Sequence, residues 1–125
     1  MDLGSYFDAT EGLGVLSTAD RQGKVDAALY ARPHFLDDKN VLFIMSDRLS
    51  HKNLQSNPNA AYLFVEKGDG YNGKRLILKK VAEEESSPSI EALRRRVTCP
   101  AEKEKRTSKS FAVKFRILQV RPLVG

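Results

Sequence analysis

The sequence has a single cysteine, no long hydrophobic run and no leader-like start. Cys99 is the only cysteine among 125 residues, so an internal disulfide is excluded and a reducing compartment is expected. No stretch approaches the roughly 18 apolar residues that indicate a transmembrane helix. The opening residues MDLGSYFDAT lack the basic and apolar regions of a signal peptide. We therefore expect one cytoplasmic domain spanning residues 1–125, with no membrane partner.

The short motifs that identify many enzymes are also missing. The sequence contains no GxGxxG, GxxxxGK[ST], CxxC, HExxH or GxSxG, which removes the familiar signatures of phosphate loops, zinc sites and hydrolases. Two histidines and one cysteine are too few for a closed zinc site, so we predict no metal. Cys99 precedes Pro100 in a charged stretch and is interpreted as an exposed thiol rather than a nucleophile. No residue qualifies as a general acid or base, and the catalytic residues are unknown.

The charge balance favours an anionic partner. Lys and Arg number 21 against 16 Asp and Glu, a net charge of +5, which does not distinguish phosphate ligands, nucleic acid and membrane surfaces. The densest basic region, residues 94–106, is interleaved with glutamates and has no aromatic platform. We interpret it as a solvated surface and predict no nucleic-acid binding.

Most of the chain has the pattern of β-strands. The predicted strands cover residues 13–19, 25–35, 41–45, 60–66, 74–81 and 111–125. Within 25–35 the odd positions are apolar, which predicts a half-buried strand, and Pro33 places that strand at a sheet edge or a bulge. The run VLFIM (41–45) is apolar throughout and is predicted to be buried on both faces.

Short helices complete the pattern. They are predicted over residues 2–11, with Asp2 as the N-cap, over LSHKNLQS (49–56) and over 86–97. The fold class is therefore mainly β, a six-stranded antiparallel barrel with short helices. A two-layer α/β sandwich is the alternative.

The strand 41–45 leads into SDRLSHKNLQSNP (46–58), which is rich in hydroxyls and positive charge. One interpretation is that Ser50 caps a helix whose first turn, with His51 and Lys52, is solvated. The other is that these three residues form a phosphate cradle at the helix N-terminus. A cation is unfavourable at that end of a helix, so the lysine favours a docked anion.

The order of these segments resembles a known family. GVLSTADRQGKVDAALYARPHFLDDKNVLFIMS, then SHK, then NPNAAYLF is similar to the pyridoxamine 5′-phosphate oxidase-like family, the FMN-binding split barrels, over about residues 10–82. The resemblance implies a split β-barrel, usually a homodimer, with FMN near the interface. It implies cofactor contacts in three segments. The FMN phosphate is implied to lie against Ser50, His51 and Lys52, and the isoalloxazine ring against Tyr30, Ala31 and Arg32. The ribityl chain is implied to lie against Met45 and Ser46.

Departures from the family pattern narrow the expected activity. Leu29 stands near the position where the true oxidases often have arginine, and the sequence lacks their longer C-terminal part. The resemblance therefore points to a small FMN-dependent oxidoreductase or electron carrier, which exchanges electrons with a small molecule or a redox protein. The alternative is a non-enzymatic binding module that holds haem or deazaflavin.

Three further residues have two interpretations each. Tyr71 and Arg75 flank the tip of the hairpin GYNG and either are solvated or reach a flavin on the partner subunit. His34 is expected at the surface or an interface, with haem ligation as the alternative.

Overall fold

The structure, a computed structural model, describes residues 2–85 and 110–125. Its elements are α1 (Leu3–Ala9), β1 (Gly12–Ala19), β2 (Val25–Leu29), β3 (His34–Phe35), β4 (Asn40–Ser46), α2 (Leu49–Ser56), β5 (Asn59–Glu66), β6 (Gly73–Glu85) and β7 (Ser110–Pro122). The predicted helix over 86–97, the basic region and Cys99 lie outside the described residues. Within the described ranges, neither helix has the length and apolar content needed to cross a bilayer.

The strands form one antiparallel sheet in the order β2-β1-β5-β6-β7-β4-β3. Its two edge strands, β2 and β3, are joined by only four residues, 30–33. A link of that length spans at most about 17 Å, so the sheet must curl until its edges are neighbours. The result is a barrel that is split between β2 and β3, not an α/β sandwich.

The predicted strand 25–35 is two strands, which raises the number in the described residues from six to seven. Tyr30 N–H still bonds to the carbonyl of Gly14, but Pro33 has no N–H to donate, and regular pairing resumes only at His34. The position at an edge is confirmed for both pieces, since β2 and β3 end the sheet.

Strand β2 does not turn its apolar odd positions to the core, although its pattern predicted this. Its apolar odd positions are exposed, with Val25 at 79% and Leu29 at 63%. The register explains this, because Ala28 pairs with Leu16, whose side chain points into the barrel. A period of two identifies the two faces of a strand, but the neighbouring strand decides which face is covered.

The barrel interior is filled mainly by aromatic and branched side chains. The largest buried members are Phe7, Leu16, Phe43, Tyr62, Phe64, Leu76, Leu78 and Phe115. Strand β4 is buried on both faces, as predicted: Phe43 and Met45 belong to this core, while Ile44 packs with Ala112 in a separate cluster.

Helix α1 closes one end of the barrel. Asp2 is its N-cap, as predicted, and Asp2 Oδ1 accepts the backbone N–H of Ser5 at 2.8 Å. The helix buries Phe7 against the core. Helix α2 packs against β1, β2 and β4, with Leu54 in the core.

Candidate functional site

A cleft of about 490 Å³ lies beside α2, and we call it the α2 cleft. Its lining comes from the β1–β2 turn, the start of β2 and one side of the helix: Asp20, Lys24, Val25, Asp26, Leu49, Lys52, Asn53, Gln55 and Ser56. Two ammonium groups, those of Lys24 and Lys52, border it. Asp20 already serves the turn, because its Oδ1 accepts the backbone N–H groups of Gln22 and Lys24, both at 2.9 Å.

The N-terminus of α2 has no side-chain cap. The N-cap is Arg48, not Ser50, and the Arg48 side chain makes no capping hydrogen bond. Arg48 N–H donates to Ser46 O at 2.8 Å; the helix covers the predicted residues 49–56, but its N-cap lies two residues before Ser50, the predicted cap. Ser50 is therefore inside the first turn and buried. Backbone N–H groups of an uncapped first turn suit an anion.

His51 does not face the solvent as the capping interpretation expects. Its ring is buried, with Nδ1 3.1 Å from Asp47 Oδ1 and Nε2 3.0 Å from Glu83 Oε2. The ring also stacks on Phe111, with centroids 3.9 Å apart and planes 13° from parallel. His51 does not line the α2 cleft. Of the three predicted cradle residues, only Lys52 lines it.

Glu83 is the centre of the polar network behind α2. Its Oε1 accepts from Lys80 Nζ at 2.5 Å and from Gln55 Nε2 at 2.9 Å, and its Oε2 contacts His51. Burial works to raise the pKa of Glu83, but the hydrogen bonds from Lys80, Gln55 and His51 outweigh it and lower this pKa to about 2. Glu83 therefore holds α2 as a carboxylate.

The predicted ring segment, Tyr30 to Arg32, is held rigidly where β2 ends. Tyr62 Oη donates to the carbonyl of Tyr30 at 3.0 Å. Tyr62 is fully buried, and burial raises the pKa of its hydroxyl. Gly14 faces this hydroxyl, and a Cβ at Gly14 would lie only 1.8 Å from Tyr62 Oη.

The Arg32 side chain stabilises the C-terminal end of α1. Its Nη1 donates to the carbonyls of Phe7 at 2.8 Å and Thr10 at 2.7 Å, which satisfies groups that α1 leaves unpaired at its C-terminus. Arg32 also lines a second cleft of about 560 Å³, which we call the β1 cleft. That cleft is bordered by Glu11, Gly12, Leu13, Arg32, Val65, Glu66, Lys67 and Gly68.

The structure places the predicted cofactor residues at two separate ends of β2. Val25 borders the α2 cleft, whereas Tyr30 is five residues further along the chain, or roughly 16 Å at the rise of a strand. Ser46 ends β4 just before α2, and Met45 points into the core. Only a ligand extended along β2 can reach both ends.

The hairpin residues lie apart from the α2 cleft. Tyr71 is 86% exposed in the β5–β6 turn. Arg75 Nε donates to the carbonyl of Pro122 at 2.6 Å, so this side chain ties the C-terminal residues to β6. Neither residue lines the α2 cleft. His34, expected at the surface or an interface, is buried in β3 opposite Leu42.

Sequence reasoning missed several residues of this region. Lys24 and Asn53 border the α2 cleft, and Asn53 Nδ2 donates to Thr18 Oγ1 at 3.0 Å inside the structure. The turn DRQG before Lys24 was visible in the sequence, but nothing local indicates that it meets α2. In residues 2–85 and 110–125, no group of His, Cys, Asp and Glu side chains is arranged to hold a metal ion.

Strands β2, β1 and β5 present apolar side chains on the outside of the sheet, and we call this surface the outer face. Val15 lies between Leu29 and Leu63 in the paired strands. The members on β2, β1 and β5 are Val25, Ala27, Leu29, Leu13, Val15, Ala61, Leu63 and Val65. Leu13, Val25, Ala27 and Leu29 are exposed, whereas Val15, Ala61, Leu63 and Val65 are half-buried. An apolar patch of this kind suits an interaction site.

Comparisons with known proteins identify the fold. No protein-family profile and no curated protein sequence matches the chain. An FMN-binding protein from Syntrophomonas wolfei subsp. wolfei is 17% identical with a TM-score of 0.75, over 98% of this chain and 84% of that chain. An F420 reductase is 14% identical with a TM-score of 0.65, over 96% of this chain and 97% of that chain. A haem-binding protein from Mycobacterium smegmatis is 21% identical with a TM-score of 0.60, over 98% of this chain and 52% of that chain. The chain has the split-barrel fold of the pyridoxamine 5′-phosphate oxidase-like proteins, as the sequence predicted.

Proposed function

We propose that this split-barrel protein is an FMN-binding flavoprotein, an oxidoreductase or electron carrier that works as a cytoplasmic homodimer of single-domain chains. One observation carries the proposal. The cationic α2 cleft lies at one end of the exposed apolar face of β2, and the rigid Tyr30–Arg32 segment lies at the other. That arrangement suits an extended ligand with an anionic end and a flat apolar end. An FMN-binding protein has the same fold.

The residues present fit the phosphate end of FMN. Lys24 and Lys52 offer two ammonium groups, and the uncapped first turn of α2 offers backbone N–H groups. A charge-assisted hydrogen bond contributes about 1.5–3 kcal/mol. The carboxylate of Asp26 opposes this charge, whereas Asp20 is bonded to its own turn. We place the phosphate on the Lys52 side of the cleft, near Ser50 and Ser46.

The ring end requires a surface that is apolar and fixed. Val25, Ala27 and Leu29 present apolar side chains outward along β2. The Tyr62 hydroxyl holds the Tyr30 carbonyl, so the backbone of residues 30–32 is a rigid edge against which a ring is oriented. Bound FMN supplies the hydride and one-electron chemistry, and the chain supplies binding and orientation. We assign no proton transfer to any side chain.

A second copy of the chain is the partner that the outer face fits. An exposed edge strand with an apolar face invites association, and a symmetric dimer covers the same patch on both subunits. In that dimer, Tyr71 and Arg75 of the partner subunit are the residues that we assign to the far side of the flavin. Tyr71 is highly exposed, so its ring is accessible to a flavin on the other subunit.

A non-enzymatic module that holds haem or deazaflavin is the second candidate. It is supported by the haem-binding protein and the F420 reductase that share the fold. The buried position of His34 counts against it as an accessible haem ligand.

The absorption spectrum of the purified protein, followed by mass analysis of the compound released on denaturation, separates the candidates. We expect the visible bands of an oxidised flavin and the mass of FMN. A haem spectrum, the mass of a deazaflavin, or a colourless protein that FMN titration leaves unchanged would contradict the proposal.

A further inference from the structure

The environment of His51 determines which form of its ring the fold accepts. A neutral imidazole has one N–H and one lone pair, whereas the imidazolium has two N–H groups. Both ring nitrogens of His51 face carboxylate oxygens, Asp47 Oδ1 at 3.1 Å and Glu83 Oε2 at 3.0 Å. An ionised carboxylate only accepts hydrogen bonds. A neutral ring would therefore turn a lone pair toward one of the two carboxylates.

The nearby amide of Gln55 does not remove this conflict. Gln55 Nε2 lies 3.1 Å from His51 Nε2, close enough to donate to a neutral ring. Its two N–H groups already have better partners, Glu83 Oε1 at 2.9 Å and the His51 carbonyl at 3.0 Å. The parallel ring of Phe111 at 3.9 Å also favours a cation over its face.

Charge counting around the ring leads to the same conclusion. The groups that face His51 are Asp47 from the β4–α2 turn and, from β6, Glu83 with its partner Lys80. The contact from β7 is the uncharged ring of Phe111. With an imidazolium the charges of these groups sum to zero, and with a neutral ring one net negative charge remains, shared between Glu83, 23% exposed, and Asp47, 60% exposed.

We propose that His51 is the positioning residue of the α2 cleft and acts as an imidazolium that pins α2 to β6 and β7. Helix α2 has only eight residues, too few to be stable without packing. Lys52 follows His51 directly, so loss of the ring proton loosens the turn that carries the Lys52 ammonium group. Ligand affinity is then lower with a neutral ring than with the imidazolium. The effect on FMN rests on the proposed function, but the state of the ring does not.

The first measurement uses the ligand-free protein. Nitrogen NMR of the ring is recorded at pH 6 and pH 8, and urea unfolding is followed at both values for the wild type, His51→Gln and His34→Gln. The last is the matched control, since His34 is the only other histidine. We expect two ring N–H groups at pH 6. The folded-to-unfolded ratio should drop at least about tenfold by pH 8 in the wild type and the control, the effect of losing one charge-assisted hydrogen bond, and not in His51→Gln.

The second measurement is FMN affinity at the same two pH values. The ratio of wild-type to His51→Gln affinity cancels the titration of the FMN phosphate itself, and we expect this ratio to fall about fivefold from pH 6 to pH 8. A ring with one N–H at pH 6, or an affinity ratio independent of pH, would overturn the positioning role. If FMN does not bind at all, the proposed function fails, and the ligand-free measurement still decides whether His51 pins the helix.

Discussion

Replacing Gly14 by alanine tests the contact that fixes the end of β2. The added Cβ would lie 1.8 Å from Tyr62 Oη, 2.3 Å from Tyr62 Cζ and 2.7 Å from the carbonyl oxygen of Tyr30. Tyr62 is fully buried, so its ring has no space into which to retreat. Overpacking of this kind costs about 1–3 kcal/mol, and the displaced Tyr62–Tyr30 hydrogen bond adds about 1 kcal/mol. We therefore expect Gly14→Ala to lose about 2–4 kcal/mol of unfolding free energy.

Urea unfolding measures this loss directly. With a slope of about 1–3 kcal/mol per molar urea, the midpoint should fall by about 0.7–4 M. The double variant Gly14→Ala, Tyr62→Phe removes the oxygen that the new methyl group meets first. Because Tyr62 Cζ and the Tyr30 carbonyl oxygen, 2.3 and 2.7 Å from the new Cβ, remain in the double variant, we expect it to recover only part of the loss. A loss below about 1 kcal/mol in Gly14→Ala would refute the close packing of Gly14, Tyr62 and Tyr30.

Three further perturbations have expected outcomes. Gly4→Ala in α1 should raise the unfolding free energy by about 0.5–1 kcal/mol, because alanine favours the helix and its Cβ would meet its neighbours at an ordinary contact distance of 3.5 Å. A lower unfolding free energy in urea would contradict the packing of α1. The pKa of Glu83 is about 2 in the fold against an ordinary 4.5, so about 3 kcal/mol of stability should be present above pH 4.5 and lost as the pH falls toward and below 2. Glu83→Gln should flatten that part of the pH–stability curve, and an unchanged curve would exclude the network. Leu29→Asp should reduce the sedimenting mass from about twice 14.0 kDa to the mass of one chain. Leu36→Asp should not reduce it, because Leu36 is an exposed leucine outside the outer face. A monomeric wild type would refute the dimer.

Local chemistry predicted several elements because their causes lie within a few residues. Asp2 caps α1 through a residue three positions away. Pro58 ends α2 because the residue before a proline avoids the helical region, and the helix limits, Leu49–Ser56, are those predicted. The continuous apolar run of β4 indicated burial on both faces without any knowledge of its neighbours.

Long-range contacts account for the errors. The partners of His51 include Glu83, which is 32 positions away, and Phe111 on β7, so the sequence near His51 gave no sign that the ring is buried. The outward face of β2 follows from its register with β1. The packing of α2 beside the start of β2 is likewise a long-range contact, and it places Lys52 at the end of β2 that lies opposite to Tyr30.

The affinity of FMN relative to riboflavin, measured for the wild type, Lys52→Ala and Lys67→Ala, tests the proposed phosphate site most directly. Lys67 is the control, since this exposed lysine borders the β1 cleft and pairs with Glu11 at 3.6 Å. Riboflavin lacks the phosphate, so the account predicts that Lys52→Ala weakens FMN binding about ten- to a hundredfold and leaves riboflavin binding nearly unchanged. Lys67→Ala should change neither affinity. Equal losses for FMN and riboflavin in Lys52→Ala, or no loss for either, would contradict a phosphate held in the α2 cleft.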